Sequence, residues 1–364
     1  MHPEGVDTEP MSERTAVVIE AAIAEHGPID FAAFMELALY GPDGYYQRPP
    51  IGASGDFVTA PHVHPVFGAL LARAIRELWQ GLGGPVPFSI AEVGAGDGTL
   101  ARQLLDGLED LPLDYLAVER SAGARLALAE VPGIRVAASL PSDGRPHLLL
   151  GHELLDNLPF RRVRGTGDGA VEILVGEGLT EVETPLPADL DTPEVLAAGE
   201  ERVVPVETFV FVDRIAPQLD RGYALFIDYG ADDGPGGGPH GYQGHRVIGD
   251  VLADPGSADI TAGVDFGAVA RRAAGHGLTT FPTISQHDAL IRLGLEAWIR
   301  GELQAQGELL AAGRGIEAVR RWADRSRATI IADPAHLGRL RWLLLASAEL
   351  PAPSWLKPET SPPS

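Results

Sequence analysis

The stretch Phe88-Ser-Ile-Ala-Glu-Val-Gly-Ala-Gly-Asp-Gly-Thr-Leu100 constrains this chain more than any other. A short apolar run ends at Val93, glycines follow at alternate positions (Gly94, Gly96, Gly98), and an amphipathic run opens at Thr99. That succession predicts a buried strand, a tight loop and a helix start. Glycine is needed where the backbone takes positive φ or meets a ligand with no Cβ between them. Free loop N–H groups and a helix N-terminus then favour negative charge at the loop.

The spacing narrows the ligand. A dinucleotide fingerprint wants glycine at positions one, three and six, yet the sixth position here is Thr99, and no Gly-Lys-Ser/Thr of a P-loop is present. Glu92 before the loop and Asp97 within it would repel a diphosphate and attract an ammonium or sulfonium group. The pattern Glu-x-Gly-x-Gly-x-Gly after a strand resembles motif I of class I S-adenosylmethionine methyltransferases. A second strand reading, Asp114 to Val118, ends at Glu119, the place where such folds put an acid on ribose hydroxyls. Glu92, Gly94, Gly96, Asp97, Gly98 and Glu119 are therefore the expected cofactor-binding residues. The competing reading is an ordinary glycine-rich turn beside a surface glutamate.

Strand and helix readings alternate as a parallel sheet requires: strands at 88–93, 113–119, 133–138 and 147–152, helices at 99–108 and 121–130. The fourth strand runs into His152-Glu153-Leu-Leu-Asp156-Asn157. Ligands of such sheets lie beyond the carboxyl ends of the strands, so His152, Glu153 and Asp156 are the candidate catalytic acid/base groups. Asp156-Asn157 as a plain turn cap is the alternative. A fifth strand, Tyr223 to Ile227, ends at Asp228. Before it, 161–213 reads as an insertion with a strand from Arg202 to Val212.

Upstream, helices are expected from Ser12 to Gly27 and from an Asp30 cap to Leu39, then a helix over Val66 to Gly81. The loop 52–65 has neither period, and aromatics beside Asp56 and Thr59 make it part of a site, with Thr59 toward the cofactor. The glycine-rich segment 229–246 reads as a second mobile flap. Residues 286–350 read as helices. Residues 1–11 and 351–364 read as disordered, 12–87 as an extension carrying a substrate-side loop, and 88–350 as the catalytic core with insertions near 161–213 and 286–340.

Composition sets limits. The chain has 364 residues and no cysteine, so cysteine-ligated metals and thiolate nucleophiles are excluded, and its one lysine, Lys357, near the C-terminus argues against Schiff-base chemistry. Histidines at 62, 64, 240 and 245 lack a metal-binding spacing, and no metal is expected. A net charge of −23 argues against nucleic acid as a partner. It is also unevenly spread: residues 1–266 hold 42 acids against 16 arginines, and 267–350 hold 11 arginines against 8 acids. An acidic body would attract a cationic substrate, or simply keep the chain soluble. Without a long apolar run or a signal-like N-terminus, the expectation is a cytoplasmic protein with no membrane partner.

Seven motifs in order resemble the MidA-like family of class I methyltransferases over about residues 12–350. They are Tyr40-Gly-x-x-Gly-Tyr-Tyr46, Gly55-Asp-Phe-x-Thr-Ala-Pro61, Glu92-x-Gly-x-Gly-x-Gly-Thr-Leu100, Glu153-Leu-Leu-Asp-Asn-Leu-Pro159, Ile227-Asp-Tyr-Gly230, Asp259-Ile-Thr-Ala-x-Val-Asp-Phe266 and Gln286-x-x-x-Leu-x-x-Leu-Gly294. The resemblance implies an α/β, Rossmann-like fold with a seven-stranded, mostly parallel sheet, an N-terminal helical extension and an inserted helical cap. It implies S-adenosyl-L-methionine as cofactor and N-methylation of an arginine on a protein partner that presents a cationic side chain; a homodimer is a candidate assembly that the sequence leaves open. A small-molecule N- or O-methyltransferase and a cofactor-binding assembly factor remain the rival readings. Four positions depart from the family pattern: His62 and His64 stand for Glu and Ser, His152 for Asn, and Gly263 for His.

Overall fold

The structure, a computed structural model, describes residues 11–47, 58–188, 190, 192, 196–234, 238–243, 246–347 and 349–357. Six strands carry the central sheet: β1 (Phe88–Val93), β2 (Leu113–Val118), β3 (Ile134–Ala137), β4 (Leu148–His152), β5 (Tyr223–Asp228) and β6 (Arg341–Ala346). They lie in the order β6-β5-β4-β1-β2-β3. Pairing is parallel from β5 to β3, and β6 runs antiparallel to β5. Two short segments, Thr279–Thr280 and Ile284–Ser285, pair with β6, so the sheet is mixed and has eight strands, one more than expected.

Both faces of the sheet are covered, which is why its strands read as continuous apolar runs rather than as alternation. Phe88, Ile90, Leu148, Leu150, Leu225, Trp342 and Leu344 pack into one core, while Ala91, Leu149, Ala224, Phe226, Leu343 and Leu345 pack into the other. Helices α1 (Met11–His26) and α2 (Phe31–Met35) precede the sheet, and Asp30 caps α2 by accepting from Ala33 N–H at 2.8 Å. Helix α3 (Val66–Gly81) lies against the first core with α4 (Thr99–Gly107), and α5 (Ala122–Ala129) follows β2. Helices α6 (Val206–Ile215) and α7 (Phe266–Gly275) cover the second core. Three more, α8 (Gln286–Arg292), α9 (Leu295–Ala311) and α10 (Gly315–Ile330), form the late insertion.

Three sequence expectations are corrected. The strand expected over 202–212 is a strand only over Glu201–Val204; Pro205 ends it, and α6 buries Thr208, Phe211, Val212 and Ile215 at helical spacing. The helical reading of 286–350 stops at α10, because Arg341–Ala346 is β6, an interior strand. The insertion expected at 161–213 begins as an antiparallel sheet of Arg161–Gly165, Ala170–Gly176, Thr180–Pro185 and Glu201–Val204. That sheet also takes in Ile29–Asp30 of the N-terminal extension. The tail expected from 351 starts in the core instead: Trp355 is buried and meets Trp342 edge-on at 5.6 Å. Residues 1–10 and 358–364 lie outside the described residues.

Candidate active site

Strand order reverses between β1 and β4, and the loops beyond their carboxyl ends open a cavity of about 1320 Å³. Its volume exceeds that of a pocket for one drug-sized ligand, leaving room for a cofactor and an acceptor side by side.

The glycine loop forms one wall. Gly94, Gly96 and Gly98 have φ of 74°, 56° and 78°, the left-handed region that a Cβ disfavours. Gly94 and Ala95 N–H donate to Val118 O at the end of β2, and Gly96 N–H donates to Glu119 Oε2 at 2.9 Å. The other Glu119 oxygen accepts from Ser121 N–H at 2.8 Å. Glu119 thus fastens the loop to the start of α5 while remaining in the cavity wall with Gly94, Gly96 and Thr59. Burial raises its carboxyl above the usual range despite those donors.

The remaining expected cofactor residues do not line the cavity. Glu92 is buried, and its carboxyl accepts from Tyr115 Oη at 2.6 Å; burial pushes it up to about 7. The acid that the sequence places beside the ligand is a buried support of β1. Asp97 accepts from Thr99 N–H and Thr99 Oγ1 and bonds to His62 Nε2 at 3.1 Å. Burial alone would raise it, but His62 and Thr99 hold it down at about 2. His62 Nδ1 in turn meets Thr59 Oγ1 at 2.8 Å, so this histidine straps the 58–65 loop to the glycine loop. At Gly98 a Cβ would lie 2.9 Å from Leu128 and 3.1 Å from Val131, so this glycine serves packing rather than ligand approach.

The acids of the fourth strand make the opposite contribution. Glu153 and Asp156 line the cavity, whereas His152 does not. Glu153 has φ 49°, a strained conformation for a side chain with a Cβ. The turn is fixed by Asp228, which is buried and accepts from the N–H groups of Leu154 (2.9 Å), Leu155 (2.7 Å), Asp156 (3.3 Å) and Tyr229 (2.8 Å). Burial, then Asp228, pushes Glu153 up to about 8, and the same causes push Asp156 well above the carboxylate range. Neither Glu153 Oε1 nor Asp156 Oδ1 has a hydrogen-bond partner among the described residues. His152 is buried beside Phe67, its Nε2 3.6 Å from Glu153 Oε1 and without a partner, and burial lowers it to about 3. It is therefore neutral at ordinary pH and sits behind Glu153 rather than against an acceptor.

Tyr46, Asn157, Tyr229 and Asp259 also line the cavity and were not assigned from the sequence. Tyr46, Asn157, Tyr229 and Asp259 all sit inside the motifs named above, but nothing local announces that they converge. The flap expected over 52–65 lies outside the described residues up to 57; Val58 and Thr59 reach the cavity wall. Of the flap at 229–246, Tyr229, Gly230, His240 and Tyr242 reach it, and 235–237, 244 and 245 are outside the described residues. Among the described residues, no three His, Asp or Glu side chains gather to hold a metal, and no helix is long and apolar enough to cross a membrane.

The residues present fit S-adenosyl-L-methionine. Val93, Val118, Ala138 and Leu140 offer apolar wall at the ends of β1 to β3, Gly94 and Gly96 bring bare backbone, Glu119 brings an acid, and unpaired carboxyl oxygens face the far side.

A family model described as S-adenosyl-L-methionine-dependent methyltransferase matches residues 70–284. A protein arginine methyltransferase NDUFAF7 homologue, mitochondrial, of Drosophila melanogaster is 30% identical over 68% of this chain and 67% of its own length. The human mitochondrial protein arginine methyltransferase NDUFAF7 is 28% identical over 79% of this chain and 74% of its own. A solved COG1565 superfamily protein from Burkholderia thailandensis, bound to S-adenosyl-homocysteine, superposes with a TM-score of 0.77 at 26% identity over 98% of this chain and 97% of its own. The cytoplasmic placement expected from the sequence is overturned by the first two, whose names place them in mitochondria. The chain is an enzyme that uses S-adenosyl-L-methionine, and it belongs to the MidA-like family of S-adenosyl-L-methionine-dependent methyltransferases.

Proposed function

We propose that this methyltransferase N-methylates a cationic nitrogen, the guanidinium of an arginine on a protein partner. The observation that carries the reading is the pair of cavity-lining acids, Glu153 and Asp156, each with an unpaired buried oxygen and a carboxyl pushed toward its neutral form. Buried acids so close together are costly unless a cation arrives. The names of the relatives, protein arginine methyltransferases, support the same acceptor.

The chemistry follows from charge. The bound cofactor supplies the methyl group as a sulfonium. A guanidinium, with a pKa above about 12, must lose a proton as its nitrogen is methylated. Its entry beside Glu153 and Asp156 favours their ionised forms and expels the proton they hold. The carboxylates then orient the planar cation by paired hydrogen bonds, and one takes the proton released as the N–C bond forms. Glu119 and the backbone of Gly94 and Gly96 hold the donor in place, and Asp97, through His62, fixes the loop above it.

The test uses methyl-labelled cofactor with cell extract, size fractionation, and acid hydrolysis of the labelled fraction. Label in methylarginine of a protein fraction is expected. Label confined to small molecules would replace this reading with a metabolite methyltransferase, and cofactor binding without transfer would replace it with an assembly role.

A further inference from the structure

Three sequence motifs far apart in the chain meet at one hydroxyl. Tyr46, from the first motif, donates its Oη to Asp259 Oδ1 at 2.8 Å and accepts from Asn157 Nδ2 at 2.8 Å. With one bond given and one received, the direction of this hydroxyl is fixed at both ends. Its ring is held too, stacked on Tyr40 at 5.3 Å and met edge-on by Tyr45 at 5.2 Å. Arg120 covers the other ring, its guanidinium carbon 3.9 Å from the Tyr40 centroid, and pairs with Glu36.

Asp259 opens the strand Asp259–Thr261 and is almost fully buried. Its Oδ1 accepts a second bond from Ile260 N–H at 3.0 Å, so two donors hold that oxygen in place. The strand is tied to the Glu153 turn by Ala262 N–H donating to Asp156 O at 2.9 Å. Tyr40, Tyr46, Asn157 and Asp259 all line the same cavity as Glu153 and Asp156. A third carboxyl group therefore lines the acceptor space from an element other than the β4 turn, and Tyr46 bridges it to Asn157 of that turn.

We propose that Asp259 is a further carboxylate that orients the acceptor nitrogen together with Glu153 and Asp156, and that Tyr46 is a positioning residue fixing Asp259 relative to the Glu153 turn through Asn157. This rests on the reading of a cationic acceptor. A planar guanidinium presents several N–H donors in a fixed fork, so carboxyl groups from two elements can hold it in one orientation and one nitrogen is aimed at the methyl donor. A freely rotating ammonium would gain less from a further, rigidly set acid.

The variants are Asp259→Asn, Tyr46→Phe, Asn157→Ala and the double variant Tyr46→Phe/Asn157→Ala, in the full chain. Melting temperature, S-adenosyl-homocysteine affinity, and transfer of labelled methyl to titrated cell extract are measured on one preparation of each. Asp259→Asn keeps an oxygen for Tyr46 and Ile260 but loses the charge; it should cut the transfer rate by about 10²-fold or more with cofactor affinity unchanged. Tyr46→Phe and Asn157→Ala should each raise the half-saturating extract concentration by about 10-fold, and the double variant should be little worse than either single one, because one connection is being broken twice. A merely structural Tyr46 would give a lower melting temperature, a normal half-saturation and additive losses, which overturns the proposal. Wild-type transfer with an equally active Asp259→Asn overturns this assignment alone. Wild-type protein that labels no protein arginine overturns the cationic-acceptor reading and this assignment with it.

Discussion

Glu153 combines two costs that a structural residue would avoid: left-handed φ in a residue with a Cβ, and a buried carboxyl with an unpaired oxygen. Glu153→Gln removes the charge and keeps the shape, so turnover should fall by about 10² to 10⁴ with cofactor affinity nearly unchanged. Normal turnover with a lower melting temperature would return Glu153 to the scaffold. The same residue has a pH signature. Its carboxyl sits at about 8 in the folded protein against 4.5 as its ordinary value, so between these values the folded state binds the proton more tightly than the unfolded state. The associated stability is present below pH 4.5 and is lost as pH rises through 8, an effect on the order of a few kcal/mol. Without an acceptor, the wild type should therefore lose more melting temperature between pH 5 and pH 8.5 than Glu153→Gln does. Parallel pH curves for the two proteins would show that Glu153 is not held neutral.

Elements that carry their own punctuation were legible in the sequence, and those defined by their neighbours were not. The span of α3 and the run from β1 to α4 could be read because glycines, caps and periodicity coincide there. β6 could not, since Arg341-Trp-Leu-Leu-Leu-Ala346 is a short apolar run buried on both faces and has no period to separate strand from helix. α6 was misread for the opposite reason: Val206-Glu-Thr-Phe-Val-Phe-Val212 has strand composition, and packing against Phe226 and its neighbours overrides it. In the site, strand-end carboxylates were legible one at a time, but their convergence with Tyr46 and Asp259 depends on pairings across more than a hundred residues. Two substitutions probe this scale. Trp355→Ala, outside every recognised motif, should destabilise by about 3–5 kcal/mol because it empties a site against Trp342, and thermal unfolding will register it. Gly98→Val should lower the melting temperature through its clash with Leu128 and Val131, whereas Gly96→Val should chiefly abolish calorimetric binding of S-adenosyl-homocysteine.

Across the whole molecule the acids are not evenly spread. Residues 1–266 hold 42 of them against 16 arginines, and this acidic body includes every carboxyl group in the cavity wall. Field lines from such a surface focus into a concave, poorly solvated site, so a cation approaching in dilute salt should be captured faster than a neutral molecule of the same size. Screening tests this, because the Debye length shrinks from about 30 Å at 0.01 M salt to about 8 Å at 0.15 M. If the acceptor is a protein-borne arginine, kcat/KM for transfer to extract protein should fall several-fold over that range. Binding of S-adenosyl-homocysteine should change little, since it lacks the sulfonium and its amino-acid charges cancel, leaving no net charge to steer. An acceptor without positive charge would show a flat salt profile, and the acidity of the body would then serve solubility alone. Repeating the titration with Glu153→Gln separates steering from local pairing: long-range attraction comes from the many ionised acids of the body rather than from Glu153, so the salt slope should persist while the rate at every salt concentration drops. A slope that vanished with that one substitution would place the whole electrostatic effect in the cavity and none in the surface.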